Sequence, residues 1–381
     1  MLKVELGKED RDRINNYLNE SHLPAAYMIG FSLDSGNEIS VSFNYSPDGT
    51  DIYKIASLTK LVTSIAALQL VEQQKIGLDD RLNELLPEMS LVPIIKSNGE
   101  LYYSNNSLTL RNLLTHTAGF CYPFTSKQIF ESFQIGRPPL SKEEWFKLPR
   151  LFEPGLNFLY GLSTDWVGRI VEKLSDMTLE SYFRENITGP LSMESTCFNL
   201  PENLLERVVP VYKKNSKGTF SKANIIDLQT NLFSGGDGLK SSPNDYCKLL
   251  SCILNGGDID GVRILKTSTV EDFMFNNYLP EGISQEFEDF EQPAVVTGCE
   301  AFRLKNKWSL AFALENSTSA DKGYLRVGRW AGAYNTYFTA DYDNRIGIVF
   351  FSQCTPFGED GAYNFYKLFE SITYSMLAKE I

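Results

Sequence analysis

The chain has 381 residues, with 36 Lys and Arg against 48 Asp and Glu, a formal net charge of −12. That length suits one large domain or two intimately joined ones, and 43% hydrophobic with 22% charged residues is ordinary for a soluble globular protein. An acidic surface repels polyphosphate and anionic lipid, which argues against nucleic-acid and membrane-surface roles. The two histidines, His22 and His116, exclude a histidine-rich metal site and leave a Ser-His-Asp triad only one of them to use.

Residues 7–20 read as an amphipathic helix with Ile14 and Leu18 on its apolar stripe. Two alternating runs follow, Ala25–Leu33 and Ile39–Tyr45, separated by Asp34-Ser35-Gly36-Asn37, which is the pattern of a β-hairpin. From Ser57 the period becomes helical, with Leu61, Ile65, Leu68 and Val71 on one stripe and Gly77 as the expected stop. Residues 78–230 read as mainly helix and loop, including helices over Leu110–Leu114 and Asp165–Lys173. Near the end, Trp308–Leu314, Ala333–Ala340 and Ile346–Ser352 read as strands, the last two joined by a turn over Asp341–Arg345, and 361–380 as a closing helix. The acidic segment 279–300 reads as a loop or pocket rim. Strands at both ends with helices between predict one α/β unit over 1–381. Its antiparallel sheet would come from both chain ends (about 1–77 and 231–381), with a mainly helical region inserted over about 78–230.

Six cysteines, at 121, 197, 247, 252, 299 and 354, lack CxxC spacing. They argue against a disulfide framework or a zinc site and suit buried thiols in a reducing compartment. The N-terminal MLKVELGKEDRDRINNYL is charged and periodic, unlike a signal peptide, and no apolar run approaches ~18 residues. These features set a cytoplasmic expectation.

The sharpest chemical candidate is Ser57-Leu58-Thr59-Lys60. Residues three apart share a helix face, so Lys60 can reach the Ser57 hydroxyl and take its proton once burial or a positive field disfavours the ammonium. The first turn of a helix supplies such a field, and the apolar run that follows implies burial. The pattern alone is weak: Ser319-Ala320-Asp321-Lys322 repeats it in a polar stretch that reads as surface loop.

Context separates the two. IASLTK (55–60), LTLRNLLTHTAGF (108–120), Tyr160 and GGDGLKSSPNDYCKLLSCILNGG (235–257) follow one another in an order that resembles the serine β-lactamase and penicillin-binding-protein superfamily, class C-like esterase and acyltransferase branch. The resemblance spans residues 20–378. It implies a β-lactamase/transpeptidase-like fold and a serine acyl-enzyme mechanism on esters or thioesters, with Ser57 as nucleophile and Lys60 and Tyr160 exchanging its proton. It implies backbone N–H groups of Ser57 and Ala333 as the oxyanion hole, and Trp330, Gly332 and Leu162 against substrate. Leu162 stands where the family has a polar residue, and Gly161 with Asp165-Trp166 is similar to the fungal acyltransferase branch. Trp330-Ala331-Gly332 occupies the place of the family's Lys-[Thr/Ser]-Gly, exchanging a carboxylate-holding cation for an indole that packs on an acyl chain or flat alcohol.

The family's histidine at 116 is not the base, so His116 is expected to be a hydrogen-bonded histidine at a helix end. The glycines at 235, 236 and 238 read as a tight turn before a helix. No cofactor or metal is implied. The partners are a small-molecule acyl ester or thioester with an alcohol as optional acceptor, and neither nucleic acid nor membrane. Two alternatives stay open: β-lactamase or D-amino-acid peptidase activity, and a catalytically silent binding protein.

Overall fold

Alternating apolar residues draw the two ends of the chain into one sheet. The computed structural model describes residues 1–133, 140–225, 230–283, 307–315, 318–319 and 323–377. Its main sheet begins with β1 (Leu2–Lys3), β2 (Ala26–Ser32) and β3 (Asn37–Phe43). The C-terminal part adds β4 (Lys307–Trp308), β5 (Ala313–Leu314), β6 (Val327–Gly332), β7 (Thr336–Asp341) and β8 (Ile346–Ser352). The spatial order is β1-β3-β2-β8-β7-β6-β5-β4. All neighbours are antiparallel except β1 and β3. The seam between the chain ends runs from the Ile346–Ser32 pair to the Ser352–Ala26 pair.

Side chains alternate across this seam as strand geometry requires. Tyr27, Ile29, Phe31, Val349 and Phe351 face a core shared with α2 (Thr59–Glu72), α4 (Ser163–Ser175) and α5 (Pro243–Leu254). Ala26, Met28, Ile348 and Phe350 face α1 (Lys8–Ser21) and α6 (Asp360–Leu377). The sheet is therefore covered by helices on both faces, and the expected β-lactamase/transpeptidase-like architecture is the one observed.

Three local expectations are corrected. Trp308–Leu314 is not one strand but β4 and β5 with a turn between, because the Ser309 hydroxyl accepts from the N–H groups of Ala311 and Phe312, each at 3.0 Å. The strand expected over Ala333–Ala340 begins only at Thr336. Residues 333–335 form the β6–β7 turn, in which Asn335 takes the left-handed conformation (φ 59°) that asparagine tolerates. The helix expected from Ser57 to Gly77 opens as a 3₁₀ turn, Ala56–Leu58, and stops at Glu72, with Gln74 (φ 57°) in the left-handed position after its end. The middle region carries α3 (Leu110–Leu114), α4 and other short helices. It also holds two small strand pairs, Ile94–Ile95 with Leu101–Tyr102 and Tyr212–Lys214 with Phe220–Lys222.

Most of the 279–300 segment lies outside the described residues, as does Lys322 of the second SxxK; Ser319 lies in a two-residue strand. Cys121, Cys197, Cys247, Cys252 and Cys354 are free thiols, and Cys299 lies outside the described residues. Among the described residues no helix is long and apolar enough to cross a membrane.

One partly buried ion cluster, centred on the buried Glu370, ties β6 and β7 to α6. The Arg329 guanidinium donates to Glu315 at 2.8 Å, to Thr339 Oγ1 at 2.8 Å and to Glu370, which Lys367 also pairs with. Burial alone would raise the Glu370 pKa, but Arg329 and Lys367 outweigh it and hold the carboxyl below its usual range. Glu370→Gln leaves the arginine under-compensated and is expected to cost ~3 kcal/mol at neutral pH, read by urea unfolding. A depressed folded pKa contributes stability that is complete above the unfolded value of ~4.3 and is lost as pH falls through the folded one. The gap between wild type and variant should therefore close in acid; a gap that persists there would assign the loss to packing.

Candidate active site

Ser57 lies in the 3₁₀ turn that runs directly into α2. The residue before it, Ala56, has φ 44°, a left-handed conformation that costs a non-glycine residue about 1 kcal/mol or more. Neighbours on three sides hold this turn. Leu58 N–H donates to Ile55 O at 3.1 Å, Thr336 Oγ1 donates to the same oxygen at 3.3 Å, and the buried Tyr246 hydroxyl donates to Leu58 O at 3.0 Å. Gly332, the last residue of β6, passes so close to the Ile55 carbonyl that a Cβ at 332 would collide with it.

The first turn of α2 brings Lys60 onto the face of Ser57, with Nζ 3.2 Å from Oγ. Lys60 is only 2% exposed, so its nitrogen depends on protein partners. Two more stand beside it: the Gly236 carbonyl at 2.7 Å and the Tyr122 hydroxyl at 3.0 Å. The Tyr122 hydroxyl donates to Asp165 Oδ2 at 2.9 Å. Asp165 Oδ1 accepts from Gly236 N–H at 3.2 Å and from the Ser234 hydroxyl. The 234–239 turn is stitched to α2 as well, because Thr63 Oγ1 donates to Gly235 O at 2.7 Å and Leu239 N–H donates to Thr59 Oγ1 at 3.2 Å. A side chain at Gly236 would strike both the Asp165 carboxylate and the Tyr122 hydroxyl. Glycine there is what lets α2, α4 and this turn converge.

Tyr160 flanks Lys60 from another side. Its ring centroid is 4.7 Å from Nζ, and its hydroxyl accepts from Trp330 Nε1 at 3.4 Å. Its position follows from the chain before it: Leu159 N–H donates to His116 O at 2.9 Å, and the His116 ring lies 4.9 Å from the Tyr160 ring. Trp308 closes the same cluster at 5.1 Å from His116 and 4.6 Å from Trp330, anchored by its indole N–H on Leu114 O at 3.0 Å. The result is an aromatic wall beside the Ser57–Lys60 pair.

Electrostatics follow from burial. Desolvation, reinforced by the Asp165 charge, drives the Tyr122 pKa far above that of a free phenol. Burial raises the Asp165 pKa, while Lys60 and the hydrogen bonds oppose that rise. His116 is driven well below its ordinary value by burial first and Lys60 second, so its imidazole stays neutral. It is not the hydrogen-bonded histidine that the sequence suggested. Nδ1 has no partner, and aromatic packing holds the ring.

The structure thus brings Ser57, Lys60, Tyr160, Trp330 and Gly332 together. Leu162 is 2% exposed within the main core, at the start of α4. Ala333 is exposed in the β6–β7 turn, one residue past Gly332. Sequence reasoning missed Tyr122, the Gly236 carbonyl and Trp308. Asp165 it noticed only as part of a motif. Tyr122 lies six residues beyond His116 in a motif-bearing segment, but nothing in its spacing announces a lysine partner. Among the described residues no cluster of three or more His, Cys, Asp or Glu is placed to hold a metal ion.

A general base contributes ~10²–10⁴ in rate. His116→Asn, which suits the left-handed backbone at 116 (φ 55°), is therefore expected to keep fluorophosphonate labelling of Ser57 within about tenfold of wild type. A loss of ~10³ or more would restore His116 as a base.

A sequence model of the Beta-lactamase family matches residues 38–371. The monacolin J acid methylbutanoyltransferase of Aspergillus terreus is 29% identical over 346 residues, covering 84% of this chain and 81% of that protein. The lovastatin esterase of Penicillium rubens is 32% identical over 246 residues, 60% of each chain. Among solved structures, unliganded simvastatin synthase from Aspergillus terreus superposes with a TM-score of 0.83 at 25% identity, over 98% of this chain and 100% of that one.

Proposed function

The chain belongs to the beta-lactamase family, and from that premise we propose that it is a serine acyl-enzyme esterase or acyltransferase acting on carboxylic esters or thioesters. The observation that carries this reading is the buried Lys60 nitrogen 3.2 Å from Ser57 Oγ. Ser57 attacks the acyl carbonyl and gives its proton to the Lys60–Tyr160 pair, which returns it to the departing alkoxide or thiolate. The N–H groups of Ser57 and Ala333 hold the oxyanion; both lie beside the close approach of Gly332 to Ile55. The Trp330 indole N–H donates to the Tyr160 hydroxyl and orients it. Water or a bound alcohol then resolves the acyl-enzyme.

The acyltransferase and esterase named above support small acyl esters as the substrate class. They also support transfer to an alcohol alongside hydrolysis, since the two reactions share the acylation half. Trp330, backed by the buried Trp308, offers an apolar, flat ring where the β-lactam enzymes of the family place a lysine for the substrate carboxylate. That exchange favours ester chemistry over β-lactam or D-peptide hydrolysis.

Brief mixing with p-nitrophenyl butyrate, followed by intact-mass measurement, tests the proposal. Wild type should gain a butyryl group and release nitrophenol in a burst, while Ser57→Ala does neither. Equal behaviour of the two proteins would remove Ser57 as the nucleophile. Trp330→Ala should raise KM about tenfold for a bulky aromatic or branched ester. For p-nitrophenyl acetate the change should stay within about threefold. Equal effects on both esters would make Trp330 purely structural.

A further inference from the structure

Among the described residues, three polar atoms stand within hydrogen-bond distance of Lys60 Nζ, and two of them can only accept. The Gly236 carbonyl has no proton to give. The Tyr122 hydroxyl has one, and it is committed to Asp165 Oδ2 at 2.9 Å, so a lone pair of the phenol oxygen faces Nζ at 3.0 Å. Asp165 is held to this role by the Gly236 N–H and the Ser234 hydroxyl, both on Oδ1. A neutral amine carries two N–H bonds and one lone pair. With both N–H bonds directed at Gly236 O and Tyr122 Oη, its lone pair is left for the third neighbour, Ser57 Oγ, at 3.2 Å.

We propose that Tyr122 and Asp165 are positioning residues that aim the Lys60 lone pair at Ser57. The proposal rests on the acyl-enzyme reading above and adds to it the device that orients the base. As the Oγ–acyl carbon bond forms, the Ser57 proton passes to that lone pair and the carbonyl π electrons move to oxygen. The amine becomes an ammonium with all three N–H bonds satisfied, and the Asp165 charge lies behind Tyr122. When the oxyanion collapses, the ester C–O bond breaks and the alkoxide carries the proton away. Among the described residues, the Tyr160 ring lies 4.7 Å from Nζ and the neutral His116 also senses Lys60, while Asp237, which acts on Asp165 and Tyr122, pairs with Lys142 toward the surface.

The test is the rate of Ser57 labelling by a fluorophosphonate, followed by mass spectrometry across the neutral pH range, with circular dichroism to confirm folding. Tyr122→Phe removes one oxygen and frees the amine to turn, so labelling should fall about tenfold or more. In Asp165→Asn the amide oxygen keeps Ser234 and Gly236 while the amide nitrogen faces Tyr122. The phenol proton then turns onto the lone pair of Lys60. Labelling should fall at least as far, in the maximal rate and not in the reagent concentration that half-saturates it. A merely structural role would lower the melting temperature and leave the maximal labelling rate of the folded protein in place. A wild-type maximal rate in either folded variant overturns the proposal while leaving Ser57 chemistry intact. No labelling of Ser57 in the wild type at any pH overturns both readings.

Discussion

The site depends on keeping a lysine nitrogen out of water beside a serine. Lys60 is 2% exposed, and burying an amine in either protonation state is unfavourable unless its hydrogen bonds are replaced. The fold replaces them with groups from three separate segments: Ser57 one helical turn back, Tyr122 in the stretch after α3, and Gly236 in the turn before α5. Asp165 on α4 then binds two of those segments to each other. Removing any one of these groups leaves the others partly unsatisfied, so they act as a unit.

Much of the surrounding architecture serves that convergence. α2 is buried on all sides from Thr59 to Leu70. Its polar residues on the site side, Thr59 and Thr63, are hydrogen-bonded to the 234–239 turn. The seam between β2 and β8 joins the chain ends and carries β7 and β6 into position beside Ile55. The left-handed Ala56 is tolerated because Ile55 and Leu58 on either side are bonded to β7 and α5.

The aromatic wall gives the site its second property. Trp308, Trp330, Tyr160 and His116 pack ring against ring within about 5 Å of their neighbours. They shield Lys60 from water on that side. His116 belongs to this wall through shape. Its neutral ring, with Nδ1 unpartnered, bears on Tyr160 without offering a base.

What the sequence determined by itself is whatever depends on neighbours in the chain. Period-two alternation specified β2, β3 and β8, the helical period specified α1, α2, α4 and α6, and a separation of three residues placed Lys60 on Ser57. Motif order was enough to identify the family and to bring Tyr160 and Trp330 into view. Only the tertiary structure decided the rest. Tyr122 and Asp165 are 62 and 105 positions beyond Lys60, and no local pattern relates residues whose contact is made by helix packing and a glycine turn. The same limit explains a smaller difference: Asn335 sets the β6–β7 turn while its side chain bonds Cys354 O and Pro356 O, 19 and 21 positions away. The break in the strand expected over Trp308–Leu314 is local by contrast, made by the Ser309 hydroxyl on the N–H groups of Ala311 and Phe312. Where the partners come from distant segments, hydrogen bonds and packing surfaces supplied by the folded chain outweigh a preference that the local residues carry alone.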